Sequence, residues 1–163
     1  MNTALMFSSK SDEWSTPQDT FDALHAEFGF EVDLAATAEN AKVADYFDME
    51  ADALSMSWSR AFPREYPPFR GVGFCNPPYS RGLQGKFIAK AAAERRNGFT
   101  TVMLIPARTD TKAFHEHIWD REHHRPRQGI EVRFLKGRLK FGGCKDSAPF
   151  PSMVVIFRPE ASA

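Results

Sequence analysis

The chain has little of what marks a secreted or membrane-bound protein. Only two of its 163 residues are cysteines, Cys75 and Cys144, which argues against a disulfide scaffold and favours a reducing compartment. No apolar run approaches the roughly 20 residues that a membrane span needs. Residues 1–10 lack a charged start followed by a long apolar stretch, so we expect no secretory signal. These absences predict a cytoplasmic protein with no membrane partner.

The formal net charge is zero, because 21 basic residues balance 21 acidic ones. The charges are unevenly spread, however: residues 1–57 hold twelve acids and two bases, whereas residues 121–145 hold eight bases and two acids. Such clustering occurs on solvated faces, but it also forms the basic strips that follow a phosphate backbone. Arg127, Arg138 and Lys140 are therefore candidates for phosphate contact.

Apolar periodicity and turn residues predict alternating helices and strands. Ser15-Thr16-Pro17 predicts a helix start with a hydroxyl cap, and Gly29 predicts its end. Further helices are expected at 86–96 and 111–119, strands at 30–34, 71–75, 100–105, 130–135 and 151–157, a loop at 121–129 and a continued strand at 138–141. This order predicts an α/β fold whose mostly parallel sheet carries an antiparallel pair at one edge. Ligands of such sheets bind beyond the carboxyl ends of the strands.

The most informative motif is Asn76-Pro77-Pro78-Tyr79, which follows a short apolar strand. Two prolines remove two backbone donors and fix two φ angles, and they exclude Asn76 from the helical region. The Asn76 amide and the Pro77 carbonyl can therefore point at one place, with the flat ring of Tyr79 nearby. Two rigid acceptors beside a ring suit an exocyclic amine on a planar base. The same tetrapeptide also occurs as a simple turn and in methyltransferases that modify glutamine side chains.

With its neighbours, this motif resembles the phage-type DNA N6-adenine methyltransferases, a Dam-like family that uses S-adenosylmethionine. The resemblance covers about Trp14 to Phe157 and rests on Trp14-Ser15-Thr16-Pro17, Val32-Asp33-Leu34-Ala35-Ala36-Thr37, Asn40, Asp52-Ala53-Leu54, Trp58, Asn76-Pro77-Pro78-Tyr79-Ser80, Leu104-Ile105-Pro106-Ala107, Arg133-Phe134, Gly137-Arg138-Leu139 and Pro151-Ser152. It implies a compact Rossmann-like methyltransferase fold in a single domain over residues 1–163, with residues 1–13 flexible and no separate target-recognition domain. It also implies a phage or prophage protein that acts on double-stranded DNA in a bacterial cytoplasm, with a monomer favoured and a role in restriction-modification.

The resemblance assigns a cofactor pocket to the acidic strand ends. Carboxylates accept hydrogen bonds from the ammonium, ribose and adenine groups of S-adenosylmethionine. Asp33 is expected near the methionine or ribose, and Asp52 near the adenine amine or ribose. The pocket is completed by Thr16 and Pro17 over the methionine end, with Ala35, Asn40 and Asn76. One feature departs from the wider superfamily, because no glycine-rich turn follows Asp33.

The resemblance also assigns the chemistry and the substrate contacts. Asn76, Pro77, Pro78 and Tyr79 are the expected catalytic residues, acting on the N6 amine of a flipped adenine. Ser80, Arg127, Arg138 and Lys140 are the expected nucleic-acid contacts. Two other functions stay open: an RNA or protein-glutamine methyltransferase, and an inactive DNA-binding module of the same fold.

Other motifs favour packing over chemistry. His115 and His117 are spaced i, i+2, so on a helix their rings do not share a face, and no cysteine pair supports a metal site. Trp58 is expected to pack in the core. Phe141 and Phe150 are expected to pack there too, although either ring could instead cover the second face of a flipped base.

Overall fold

The described part of the chain folds around one five-stranded sheet. The computed structural model describes residues 15–48, 52–61, 68–80, 82–142 and 144–161, so the expectation that residues 1–13 are flexible lies outside it. Its strands are β1 (Val32–Asp33), β2 (Val72–Cys75), β3 (Thr100–Pro106), β4 (Trp119–Asp120), β5 (Arg125–Pro126), β6 (Ile130–Phe134) and β7 (Ser152–Phe157). The large sheet has the order β1-β2-β3-β7-β6, and β4 and β5 form a separate antiparallel pair.

The strand directions confirm a mostly parallel sheet with an antiparallel pair at one edge. β1, β2 and β3 are parallel neighbours, with Asp33 opposite Phe74 and Cys75 opposite Met103. β6 and β7 form the predicted antiparallel edge pair, and β7 lies between β3 and β6, antiparallel to both, a position that the order of elements did not predict. β7 is buried along its whole length, and β3 is buried after its first residue. Continuous burial of this kind belongs to strands that are covered on both faces.

Helices cover the two faces of this sheet. They are α1 (Gln18–Phe28), α2 (Trp58–Ala61) and α3 (Leu83–Glu94). Phe21 and Leu24 of α1 pack on the face that carries Phe74, whereas Phe87 of α3 packs on the face that carries Met103. The side chains of a strand alternate between faces, so β3 contributes to both cores. Among the described residues, no helix is long and apolar enough to cross a membrane.

The start of α1 differs from the expectation of a hydroxyl cap. Pro17, with φ −56° and ψ 136°, occupies the cap position, and no side chain caps the helix. The Thr16 hydroxyl instead accepts a hydrogen bond from Asn76 Nδ2 at 3.0 Å. The end of α1 is as predicted: Gly29 is left-handed at φ 67°, and its N–H donates to the His25 carbonyl.

The helix predicted at 111–119 and the loop predicted at 121–129 are each wrong in part. Residues 111–119 include a π-helical turn, Phe114–Ile118, and Trp119 already belongs to β4. The Phe114 and Trp119 rings stack at 5.9 Å, and this contact joins residues five apart, the spacing of a π-helix. Within the predicted loop 121–129, Arg125–Pro126 pairs with Trp119–Asp120.

The predicted continuation of β6 through residues 138–141 is wrong. This segment forms no strand. The Leu139 carbonyl accepts from Ala148 N–H at 2.8 Å, and Gly142 N–H donates to the Ser15 carbonyl at 2.8 Å. The loop therefore attaches to the start of α1 and does not extend the sheet.

Candidate active site

Several of the predicted functional residues lie at the carboxyl edge of the parallel strands. Asp33 ends β1, Asn76 follows β2, and β1 and β2 are neighbours. Pro106 ends β3 and pairs with Ser152, so the start of β7 lies at the same edge. A crevice beyond the carboxyl ends of parallel strands is where α/β proteins bind ligands.

The Asn76 side chain is held from both sides. Its Nδ2 donates to Thr16 Oγ1 at 3.0 Å, and its Oδ1 accepts from the Tyr79 hydroxyl at 2.7 Å. Thr16 is 4% exposed, so the first of these bonds is shielded from water. Three of the predicted site residues therefore form one hydrogen-bonded group, although 60 positions separate Thr16 from Asn76 in the chain.

Tyr79 is enclosed by two phenylalanines. Its ring meets Phe150 edge-on at 5.5 Å and Phe141 edge-on at 6.1 Å between ring centroids. Phe141 is 1% exposed, which confirms that it packs in the core, whereas Phe150 is half-buried. Burial raises the pKa of Tyr79 well above its usual value, so the phenol stays protonated and keeps its proton to donate to Asn76.

Asp33 is a buried carboxylate. It is 3% exposed, and burial raises its pKa to about 6, while two backbone donors oppose that shift. Lys42 N–H donates to Oδ2 at 3.1 Å and Ala35 N–H donates to Oδ1 at 3.3 Å. Asp33 also lies close enough to raise the pKa of the buried Cys75 thiol, after the larger effect of burial. A carboxylate in such a place is stabilised by any cation that binds beside it.

The loop after Asp33 folds back without a glycine-rich turn. Thr37 N–H donates to Asn40 Oδ1 at 2.7 Å, and Asn40 N–H returns to Thr37 Oγ1 at 3.3 Å. This reciprocal pair closes a turn, as side chains of these types do. The turn brings the Lys42 backbone to Asp33. In this structure the Asn40 amide oxygen therefore shapes the loop.

Asp52 stands apart from this group. It is exposed and left-handed at φ 47°, and its carbonyl accepts from Ser55 N–H and Oγ, each at 3.0 Å. Within the described residues, its side chain forms no hydrogen bond or ion pair with Asp33 or Asn76. Trp58 is fully buried, and its indole N–H donates to the Ala53 carbonyl at 2.8 Å, which confirms a packing role.

The basic residues of segment 121–145 lie at different edges of the sheet. Arg138 and Lys140 are exposed on the loop whose inward residue, Phe141, touches Tyr79. Arg127 lies at the opposite edge of the sheet: its Nη2 donates to the His115 carbonyl at 2.7 Å, and the next residue, Gln128, accepts from Arg95 beyond the end of α3. One continuous basic strip along residues 121–145 is therefore wrong.

Arg133 is tied into an ion-pair network. It forms two 2.7 Å hydrogen bonds with Glu27 of α1 and pairs with Glu131, which also pairs with Arg158. These hydrogen bonds lower the pKa values of both glutamates. The network links α1 to the β6 edge.

Sequence reasoning missed one of two polar side chains that lie beside the motif. Ser80 was expected to touch nucleic acid, but Gln84 was not singled out. Among the described residues, Ser80 Oγ and Gln84 Nε2 are buried without a hydrogen-bond partner, and so is Ser152 Oγ. Buried polar atoms without partners mark places where a ligand or water completes the bonding. The i, i+4 spacing of Ser80 and Gln84 across the start of α3 was the available signal.

Comparison with known proteins defines the class of this protein as a methyltransferase. The family model of the DNA N-6-adenine-methyltransferases called Dam matches residues 4–162, and the chain belongs to that family. The chain is 26% identical over 162 residues to the DNA N-6-adenine-methyltransferase of Haemophilus phage HP1, covering 94% of this chain and 82% of the phage protein. It is 38% identical over 69 residues to the predicted methyltransferase YfdM of Escherichia coli strain K12, covering 42% of this chain and 71% of that protein.

Proposed function

We propose that this protein transfers a methyl group from S-adenosylmethionine to the N6 amine of adenine in double-stranded DNA. The observation that carries the proposal is the Asn76 amide, fixed between Thr16 and Tyr79 directly beyond β2. The rigid Pro77 carbonyl follows in the chain. Family membership and the phage relative support the same reaction and substrate.

The chemistry asks the protein for orientation more than for proton abstraction. When bound, the cofactor supplies a methyl group already activated on a sulfonium. The adenine N6 lone pair is delocalised into the ring, so the amine is a poor nucleophile. Hydrogen bonds from its two protons to Asn76 Oδ1 and the Pro77 carbonyl favour a tetrahedral nitrogen and stabilise the positive charge that develops there.

The described residues fit a cationic cofactor. Asp33 is buried with a raised pKa and accepts from backbone donors, and an ammonium group beside it would restore the charged form. Thr16, Pro17, Ala35, Asn40 and Asn76 complete this side of the proposed pocket. Asp52 is proposed to contact the adenine amine or the ribose, the part of the cofactor that extends away from Asp33.

The target base must leave the duplex to reach this site, at a cost of a few kcal/mol. We propose that Tyr79 stacks on the flipped adenine and recovers about 1–3 kcal/mol of that cost. The Tyr79 hydroxyl now occupies Asn76 Oδ1, which is the acceptor that the substrate amine needs. An amide oxygen has two lone pairs, so Asn76 Oδ1 can accept from the substrate amine beside Tyr79, or in its place if the ring moves to stack on the base.

The DNA backbone is proposed to lie along the loop between β6 and β7. Arg138 and Lys140 are exposed there, and Phe141 of the same loop contacts Tyr79. Ser80, with its buried hydroxyl, lies on the other side of the motif. Arg127 is proposed to contact only more distant phosphates, because it lies at the opposite edge of the sheet.

The proposal extends to the architecture and the setting. The three parallel strands with a reversed β7 beside them support a Rossmann-like methyltransferase sheet in a single domain. The phage relative supports a role in modifying adenine in phage or host DNA. We further propose that the protein acts in the cytoplasm of a bacterium and protects DNA against restriction. We propose a monomer as the acting species.

Transfer of tritiated methyl from S-adenosylmethionine to unmethylated DNA tests the function. Wild type is expected to label adenine in duplex DNA, whereas Asn76→Ala is expected to lose about 100-fold or more in rate. Asn97→Ala, an exposed amide beyond the far end of α3, is the matched control and should keep the wild-type rate. Wild type that binds no cofactor and labels no DNA would refute the proposal.

Competition and calorimetry separate the alternatives. Structured RNA that displaces duplex DNA as the labelled substrate would favour an RNA methyltransferase. DNA binding without detectable cofactor binding at millimolar concentration would favour an inactive binding module. Sequencing of methylated adenines in DNA from cells that express the protein would then give the target site.

A further inference from the structure

Thr16 has a buried hydroxyl that its own helix does not use. The cap position of α1 belongs to Pro17, and no side chain caps that helix. The Thr16 hydroxyl, in a residue that is 4% exposed, accepts from Asn76 Nδ2 at 3.0 Å. This hydroxyl therefore serves Asn76, from a distant part of the chain.

Thr16 is itself held firmly. Pro17 restricts the backbone of the residue before it to extended conformations. The preceding carbonyl, of Ser15, accepts from Gly142 N–H at 2.8 Å. Behind Pro17, α1 is anchored by Phe21, whose ring meets Phe74 of β2 edge-on at 5.3 Å. These contacts fix the position of the Thr16 hydroxyl relative to Asn76, which directly follows β2.

An asparagine amide has two orientations that differ by half a turn, and they exchange a donor for an acceptor. Here one end faces an alcohol and the other faces a phenol. A phenol is the better donor and an alcohol the better acceptor, so the pair favours Nδ2 toward Thr16 and Oδ1 toward Tyr79. The Thr16 bond favours that orientation whether or not Tyr79 keeps its own bond when adenine enters.

We propose that Thr16 is the positioning residue that keeps the Asn76 acceptor turned toward the target amine. This inference rests on the proposed function and adds a role to a residue expected at the cofactor. Loss of the Thr16 bond removes one contact that opposes turning of the amide, and a turned amide presents its NH₂ group to the substrate NH₂ group. Two donors then face each other, and the stabilising acceptor is lost in that fraction of molecules.

The kinetic test compares Thr16→Val with Thr16→Ser at saturating cofactor and DNA. Thr16→Val keeps the shape of the side chain and removes the hydroxyl, and we expect its single-turnover rate to fall about 10- to 100-fold, by comparison with losing one oriented polar group. The cofactor dissociation constant should change less than about threefold, because only a small part of the cofactor surroundings is altered. Thr16→Ser should restore the rate.

Thr101→Val is the matched control for this substitution. Thr101 is fully buried in β3, and its hydroxyl has no partner among the described residues. The same exchange there should leave the methyl-transfer rate unchanged. A weakened cofactor affinity with an unchanged saturated rate would overturn the proposal and make Thr16 a cofactor contact. A Thr16→Ser rate as low as that of Thr16→Val, with a lowered melting temperature in both, would make it a packing residue.

The hydrogen bond can also be observed without any activity. The Asn76 side-chain amide gives a pair of proton–nitrogen NMR signals, identified by their disappearance in Asn76→Asp. We expect Thr16→Val to shift these signals and speed their hydrogen exchange, and Thr16→Ser to retain them. Unchanged signals in Thr16→Val would overturn the inference. If wild type failed to methylate adenine while the signals changed as expected, the proposed function would fall and the Thr16–Asn76 contact would stand.

Discussion

Asp33 shows how burial shapes a single residue of the site. Its carboxylate is 3% exposed, and its hydrogen-bond donors at 3.1 Å and 3.3 Å are backbone amides. Two neutral donors only partly replace the water that burial removes, so the pKa rises from 3.8 to about 6. The folded protein therefore binds a proton at Asp33 more tightly than the unfolded chain does.

This shift predicts how stability depends on pH. Between pH 3.8 and about 6 the folded state holds more protons than the unfolded state, so the contribution of Asp33 is present below pH 3.8 and is lost as pH rises to 6. Urea unfolding should show that Asp33→Asn gains stability relative to wild type across this window. The gain in the free energy of unfolding should reach at most roughly 3 kcal/mol. Above about pH 6 it should no longer change with pH. Parallel stability curves for the two proteins would show that Asp33 is not buried as described.

Tyr79 offers a second test at the same scale, because its ring and its hydroxyl have separate roles. Tyr79→Phe keeps the ring between Phe141 and Phe150 and removes the bond to Asn76, so we expect methyl transfer within a few-fold of wild type. Tyr79→Ala removes the stacking surface, and its rate on duplex DNA should fall about 10- to 100-fold, matching 1–3 kcal/mol of stacking. Equal losses in both variants, measured in single turnovers, would assign the effect to the hydroxyl.

At the scale of elements, packing against β2 depends on a glycine. Gly73 lies opposite Val32 and Thr101 in the sheet. A Cβ at position 73 would approach Leu34 Cδ1 and Phe99 Cζ, each to 2.9 Å. Leu34 and Phe99 are fully buried, so neither has open space to move into. Gly73 therefore leaves the space in which Leu34 and Phe99 pack against this face of β2.

Two glycine substitutions should thus act in opposite directions. Gly73→Ala is expected to destabilise the fold by about 1–3 kcal/mol through overpacking. Gly85→Ala, in the first turn of α3, would meet only the Ala113 side chain at 3.6 Å and should stabilise by about 0.5–1 kcal/mol. Urea midpoints of the two variants give the comparison. A neutral Gly73→Ala would mean that the Leu34 and Phe99 side chains can move to admit a methyl group.

Across the whole molecule, positive charge is present at both edges of the sheet. Arg138 and Lys140 lie on the loop beside Tyr79, whereas Arg127 follows the β4–β5 hairpin, near the amino end of β6. Proximity to the proposed base pocket favours the first group as the phosphate contacts. Neutral net charge does not oppose DNA binding when the charges are separated in this way.

Salt dependence of DNA binding distinguishes the two basic groups. Each phosphate contact contributes about 0.9 to the slope of log affinity against log salt concentration. Arg138→Gln with Lys140→Gln should therefore lower the slope by up to about 2, measured by fluorescence anisotropy with duplex DNA. The matched pair on the hairpin, Arg121→Gln with Arg125→Gln, should leave the slope nearly unchanged. The reverse result would move the DNA to the hairpin edge.

The sequence by itself determined the order of elements and the identity of the motif. Apolar runs at 100–105 and 151–157 must be buried, and the prolines of Asn76-Pro77-Pro78-Tyr79 are rigid in any fold. The alternating order of elements was therefore enough to predict a mostly parallel sheet with the antiparallel edge pair. These are local properties, which a linear pattern carries directly.

Only the tertiary structure decided which polar groups meet. The sequence predicted the Thr16 hydroxyl as a helix cap, but folding places it against Asn76. It predicted one basic strip, but the sheet separates Arg127 from Arg138. It could not show that Tyr79 donates to Asn76 in the absence of substrate. Contacts between distant residues depend on how strands and helices pack, and packing is a property of the whole chain that no local spacing records.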